Sequence, residues 1–364
     1  MRIKITADST CDLSEELLAQ WDIALMPMHI LMGEDSYLDG VTIHPADVFA
    51  YVNAGGKMPK SAAANLVEYT EFFEPFAKEC DAVIHISVSS KLSSCFQNAK
   101  LAAGEFENVY VVDSQNICTG QGYLVLKAAK WAADGLPPRN ITMRLQSLAK
   151  RVELSFVLDR LDFMAKSGRC SGVLAFGANL LGIKPALEVI DGELKVVKKY
   201  RGSLPICVGK YITDRLVERD DIEDSLVFIS SCQPKPGCMD AVKAGLKKYG
   251  SFKECHETDI GTTIGGYSGP GTIGIVIGGF LAFALSISGG ILFVKIFNLF
   301  TKKKINPLIG ACGLSAVPMA SRVANEIALK YDPKNHVLQY CMASNISGVI
   351  GSAVAAGVLI SFLG

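Results

Sequence analysis

Hydroxyl side chains recur where three predicted strands end. Residues 2–7 run into Asp8-Ser9-Thr10, residues 82–87 into Ser89-Ser90-Lys91-Leu92-Ser93-Ser94, and residues 109–113 into Ser114, each time ahead of a predicted helix. A serine at a helix start caps free N–H groups, and those same groups attract anions. The repeated pattern therefore predicts a seat for a carboxylate or a phosphate. A second polar group, Gly266-Tyr267-Ser268, stands before Gly269-Pro270-Gly271 and is expected to form a hydrogen-bonding loop tip. Seven glycines between Gly261 and Gly278 let backbone approach a ligand or other backbone closely. The histidines, His29, His44, His85, His256 and His336, show no metal-ligand spacing, and no nucleophile–base pair or nucleotide loop is evident. The expected chemistry is that of a carrier, not an enzyme, with no catalytic residue, metal or cofactor.

Strand-to-helix units of this kind build a parallel sheet whose ligand crevice lies at the carboxyl ends of its strands. Helices are predicted at 95–104 and 120–133 and from residue 69 to 80, and Asp12 or Ser14 is expected to cap the first helix. The linker signal Gly135-Leu136-Pro137-Pro138 precedes a helix at 141–152 and a strand at 154–158. Asp191-Gly192 between two apolar runs predicts a hairpin, and helix, strand and helix follow to residue 249. The fold class expected is α/β: a parallel-sheet domain at 1–155, a second α/β domain with an antiparallel element at 156–276, and an all-α apolar membrane segment at 277–364.

The chain has 364 residues, 49% hydrophobic and 20% charged, with formal net charge zero. Residues 277–364 hold seven Lys/Arg against two Asp/Glu, which leaves the rest mildly acidic. No nucleic-acid partner is expected of such a surface. Eleven cysteines without a CxxC point to a reducing cytoplasm. The alternating start MRIKITADST predicts no cleavable signal peptide.

Asp8-Ser9 with Asp12-Leu13, Tyr37-Leu38-Asp39-Gly40, residues 89–97, Val112-Asp113-Ser114, residues 161–171 and 181–187, Arg201-Gly202 and Gly269-Pro270-Gly271 together resemble the DegV family. These are bacterial two-domain fatty-acid-binding proteins, and they include FakB subunits that present acyl chains to a fatty-acid kinase. The resemblance implies a long-chain fatty acid as ligand and a fatty-acid kinase as partner. It places the carboxylate at Ser61, where Ser61-Ala62-Ala63-Ala64-Asn65 matches a Thr-Ser-Gln-Pro-Ser loop, and at Ser93. Tyr267, with Ser268 beside it, stands where the family has a histidine, and Arg201 matches an arginine near the mouth with a partner-docking or phosphate-contacting role. A sixteen-carbon tail buried at about 0.8 kcal/mol per CH₂ gains roughly 12 kcal/mol gross, so the tail is expected to supply affinity and the head orientation.

The tail resembles a different family. Ile305-Asn306-Pro307-Leu308-Ile309-Gly310, the run Leu314-Ser315-Ala316-Val317-Pro318 through Arg322, and residues 348–357 are similar to the C-terminal end of the β subunit of sodium-pumping decarboxylases such as oxaloacetate decarboxylase. That resemblance implies an ion pathway at Asn306, Gly310, Ser315 and Arg322, because Pro- and Gly-broken apolar segments expose carbonyls to a cation. Three apolar units are expected: a span at 277–294, a broken segment at 305–320 and a span at 341–363. If the soluble part is cytoplasmic, Lys295, Lys302, Lys303 and Lys304 favour a first unit that folds back without crossing. Asp332 is the tail's only aspartate, and it does not match the family's ion-binding aspartate. Sodium is thus expected only when other chains complete the membrane part. Three readings stand: a fatty-acid carrier with C-terminal membrane attachment; a membrane subunit working with other decarboxylase subunits; and an artefactual fusion of two genes.

Overall fold

The computed structural model describes residues 1–170, 182–219 and 221–279, and in the tail residues 292, 294–299, 306, 309, 328–329 and 337–343. The chain forms two compact units, Met1–Gly279 and Phe280–Gly364. Among the described residues, the first unit holds thirteen strands in three sheets.

It opens with β1 (Ile3–Asp8) and α1 (Glu15–Gln20). Ser14 is the cap, its hydroxyl accepting from the Leu17 amide at 3.4 Å. Asp12 instead adopts a left-handed backbone conformation, φ 48°, and is buried. There follow β2 (Ala24–Met26), β3 (His29–Met32), β4 (Asp35–Leu38), α2 (Pro45–Asn53), β5 (Lys60–Ala62), α3 (Leu66–Glu79), β6 (Ala82–Ser87), α4 (Cys95–Ala103), β7 (Val109–Asp113), α5 (Cys118–Ala133) and α6 (Pro138–Ala149). The expected parallel sheet is present, in the order β2-β1-β6-β7. All six residues of β6 are buried, as a parallel strand covered on both faces requires. Tyr69 and Phe73 of α3 and Cys95 and Ala99 of α4 cover one face with Val83. Leu124 and Ala128 of α5 and Ile141 of α6 share the other core with Ile5, Ile84 and Ile86. The small antiparallel sheet β4-β3-β5 has strands of only three or four residues. So short a run carries no readable alternation.

The second half runs β8 (Val152–Val157), α7 (Asp162–Ser167), β9 (Ile183–Ile190), β10 (Glu193–Arg201), α8 (Leu204–Leu216), β11 (Ile222–Cys232), α9 (Cys238–Tyr249), β12 (Cys255–Asp259), α10 (Thr262–Ser268) and β13 (Thr272–Gly279). Its sheet has the order β10-β9-β8-β13-β11-β12 and is antiparallel except between β11 and β12. Asp191 and Gly192, both at positive φ, turn β9 into β10 as the dipeptide predicts. One sheet face packs Ile273, Ile275 and Ile277 on α8 and α9. The other puts Phe156, Leu187, Phe228 and Val276 into the core shared with α5.

Two expectations for the glycine-dense stretch are corrected. The loop tip Gly266-Tyr267-Ser268 belongs to helix α10. The membrane span expected from Ile277 begins inside β13, a central strand whose first seven residues are buried and which pairs with β8 and β11. A strand covered on both faces is continuously apolar and reads like the start of a span. Among the described residues no helix is long and apolar enough to cross a membrane. Of the expected ion-pathway residues, Asn306 is described as irregular chain, and Gly310, Ser315 and Arg322 lie outside the described residues, as do most of 305–320 and 341–363.

Candidate functional site

The strand ends of the parallel sheet, the inner face of the second sheet and α10 enclose a cavity of about 280 Å³. Its walls are largely apolar: Met28, Val88, Leu92, Ile117, Leu154, Phe156, Met164, Leu194, Ile260 and Ile264. Ser61, Ser93, Ser94, Arg169 and Tyr267 supply polar lining.

Several local features hold these polar groups. Ser61 lies in β5, and the loop after it ends in a capping box at the start of α3. There the Glu68 amide donates to Asn65 Oδ1 at 3.1 Å and the Asn65 amide to Glu68 Oε2 at 2.7 Å. Asn98 of α4 donates to the Ala64 carbonyl at 2.8 Å, tying the helix that begins just after Ser93 to this loop. Tyr267 donates its hydroxyl proton to Ser61 Oγ at 2.8 Å and accepts from the Ser61 amide at 2.6 Å. The Ser61 hydroxyl proton is thereby left to donate elsewhere. Arg169, just past the turn at Gly168 (φ 69°), places its guanidinium carbon 6.0 Å from the Tyr267 ring centre. Ser93 Oγ accepts from the Cys95 amide at 3.3 Å and donates to Cys95 Sγ, a weak acceptor, at 3.2 Å. Burial, aided by the Asp8 charge, pushes the Cys95 thiol up to about 12, so it remains an unreactive thiol.

Four of the five sequence-predicted ligand residues, Ser61, Ser93, Tyr267 and Ser268, line this one cavity. Ser268 is buried, and its hydroxyl finds no hydrogen-bond partner among the described residues. Arg201 is not among the lining residues; it ends β10 and is exposed. Arg169 takes the cationic place in the lining, and sequence reasoning missed it as a site residue. Its only signal was an arginine after Ser167-Gly168 at a helix end. Ser94 also lines the cavity, whereas four other strand-end serines are committed to the fold rather than to an anion. Ser9 donates to Asp39 at 2.9 Å, Ser89 to the Gly192 carbonyl at 2.7 Å, Ser90 to Asp113 at 2.6 Å and Ser114 to the Asn116 carbonyl at 3.0 Å.

Beneath the cavity lie two buried carboxyls of opposite character. Asp8 accepts from the Tyr69 hydroxyl, from Ser87 Oγ at 2.7 Å and the Val88 amide at 2.8 Å, and meets His85 Nε2 at 3.2 Å. Burial alone would raise its pKa, but His85 and these donors outweigh it and hold the carboxyl below its ordinary value. Asp12 has no such shell: neither carboxyl oxygen makes a well-formed hydrogen bond. Burial pushes it well above the ordinary range; the Cys118 thiol opposes the shift and the charge of Asp39 adds to it. A carboxyl with a raised folded pKa binds its proton more tightly in the native state, so stability falls as pH rises above the unfolded value. Asp12→Asn is therefore expected to gain in melting temperature relative to the parent as pH goes from about 5 to about 8. Melts of the two proteins at those pH values check this, and a constant difference would contradict it. Among the described residues no His, Cys, Asp and Glu cluster could hold a metal ion.

Residues 2–278 match the DegV family, described as "Uncharacterised protein, DegV family". The chain belongs to the DegV family. A DegV domain-containing protein of Clostridium perfringens is 35% identical over 204 residues, 56% of this chain and 73% of that one. The solved structure of a fatty-acid-binding DegV-family protein from Thermus thermophilus superposes with TM-score 0.70 at 26% identity, covering 77% of this chain and all of that one. This DegV-family chain also carries a second match: residues 262–363 fit the Na⁺-transporting oxaloacetate decarboxylase beta subunit. An oxaloacetate decarboxylase beta chain of Salmonella typhi is 49% identical over 94 residues, 26% of this chain but 22% of that one. This chain thus spans about a fifth of that relative. The two matches overlap at 262–278, which the DegV-family fold uses for α10 and most of β13.

Proposed function

We propose that the first unit holds a long-chain fatty acid, its tail against the apolar walls and its carboxylate against Ser61, Ser93 and Arg169. The single observation that carries this reading is a largely apolar cavity whose lining holds the free hydroxyl proton of Ser61, the hydroxyl of Ser268, unpartnered among the described residues, and one guanidinium, with Ser93 Oγ spending its proton only on the weak acceptor Cys95 Sγ. The fatty-acid-binding relative from Thermus thermophilus supports it. Presentation of the carboxylate to a partner such as a fatty-acid kinase belongs to the same proposal, as do a cytoplasmic first unit and a tail that attaches it to the membrane. The chain acts on this reading as a carrier, with no chemistry of its own. Mass spectrometry of lipid extracted from the purified chain is expected to find bound fatty acid, or the emptied chain to take up palmitate or oleate. A chain that neither carries nor takes up either acid would overturn the proposal.

The match over 262–363 favours a second reading, a membrane subunit acting with other decarboxylase chains. An ion at membrane depth needs several oxygen ligands and a compensating charge. Vesicles holding this chain alone are therefore expected to take up sodium-22 no faster than empty ones. Uptake above that level would show that the tail transports by itself.

A further inference from the structure

Across the middle of the second sheet, one row of directly paired residues faces the cavity: Phe156 on β8, Gly274 on β13 and Ser230 on β11. The three differ sharply in bulk. Phe156 makes one bank and Ser230, hydrogen-bonded to Thr119 of α5 at 2.6 Å, makes the other. Gly274 between them has no side chain, although a glycine inside a central strand weakens it unless something must come close to the backbone there. Along β13 the same face gives the order of depth. Thr272 lines the cavity and bonds to the carbonyls of Ser268 and Gly269, next to Tyr267 and the head-group donors. Gly274 also lines it, while Val276 is no longer in the lining and is packed in the core. The cavity thus runs inward over Thr272 and Gly274 and is stopped along this strand at Val276.

We infer that Gly274 sets the length of acyl chain the protein accepts, as the bare floor of a trough over which the far end of the chain lies; this rests on the fatty-acid reading above. A side chain at 274 would move the stop from Val276 to residue 274, about 6.5 Å nearer the head group. The space for it comes from the trough itself. An added Cβ would meet the Ser155 carbonyl at 3.2 Å, Phe156 Cβ at 3.3 Å and Ser230 Oγ at 3.5 Å, which is tight without being a clash. Valine suits a central strand, so Gly274→Val is compatible with β13.

The test offers the full chain, emptied of lipid, an equimolar mixture of saturated fatty acids from about ten to about twenty carbons and reads the bound acids by mass spectrometry. Each methylene excluded from an apolar trough costs about fourfold in affinity. Gly274→Val is therefore expected to hold shorter acids than the parent, with the longest depleted about tenfold or more. Phe156→Ala, which removes a bank, is expected to shift the profile toward longer acids; general damage to the fold would not move the two variants in opposite directions. If Gly274→Val does not fold, Gly274→Ala and Phe156→Ala decide. Profiles that match the parent's in every folded variant would overturn the inference alone. A parent that takes up none of the acids would overturn the fatty-acid reading and this inference with it.

Discussion

Replacing Ser61 and Ser93 together by alanine is expected to lower affinity for palmitate by about two to four orders of magnitude, because each hydrogen bond to a charged head is worth about 1.5–3 kcal/mol. Each single variant should lose about tenfold to a hundredfold. The loss should fall on binding and not on the fold. Ser61 Oγ accepts one bond from Tyr267, whose hydroxyl keeps the Ser61 amide as a partner after the change. Among the described residues Ser93 Oγ makes only two local contacts, accepting from the Cys95 amide and donating to the weak acceptor Cys95 Sγ. Tyr267→Phe is expected to weaken binding less than either serine change, since it loosens Ser61 without removing its hydroxyl. Titration of the emptied proteins with palmitate, beside melting curves, checks the set. Unchanged affinity in the double variant would move the carboxylate to another part of the cavity.

Asp8→Ala is expected to be the most damaging single change to stability, about 3–5 kcal/mol, the usual cost of removing one partner from a buried charged network. Tyr69, Ser87, the Val88 amide and His85 would all lose an acceptor at a fully buried position. The pH dependence carries a definite sign. A carboxyl depressed below its ordinary 3.8 contributes stability that is complete above that pH and is lost as pH falls through the folded value. The gap between parent and variant should therefore be widest at neutral pH and narrow below pH 3.8. Urea unfolding of both proteins at pH 7 and near pH 3 measures it, and equal midpoints at pH 7 would show that the network is not what holds β1 to β6.

The sequence by itself determined the parts of this protein governed by local chemistry. Three strand-to-helix units gave the parallel sheet, because strands buried on both faces read as apolar runs and their helices begin at hydroxyls. Asp191-Gly192 gave the hairpin because few other dipeptides take two positive φ values. Ser61, Ser93, Tyr267 and Ser268 were legible as candidates from polar type and family resemblance. What they surround was decided only by tertiary structure. Ser9, Ser89, Ser90 and Ser114 look alike in sequence to Ser93, yet long-range partners such as Asp39 and the Gly192 carbonyl occupy Ser9 and Ser89. Arg169 enters the lining because the turn at Gly168 carries it to Tyr267, a contact across about a hundred residues of chain. The end of β13, Ile277 to Gly279, was misread as the start of a span for the same reason: hydropathy records that a segment avoids water, and only the pairing of β13 with β8 and β11 shows that a sheet, not a bilayer, provides the shelter there.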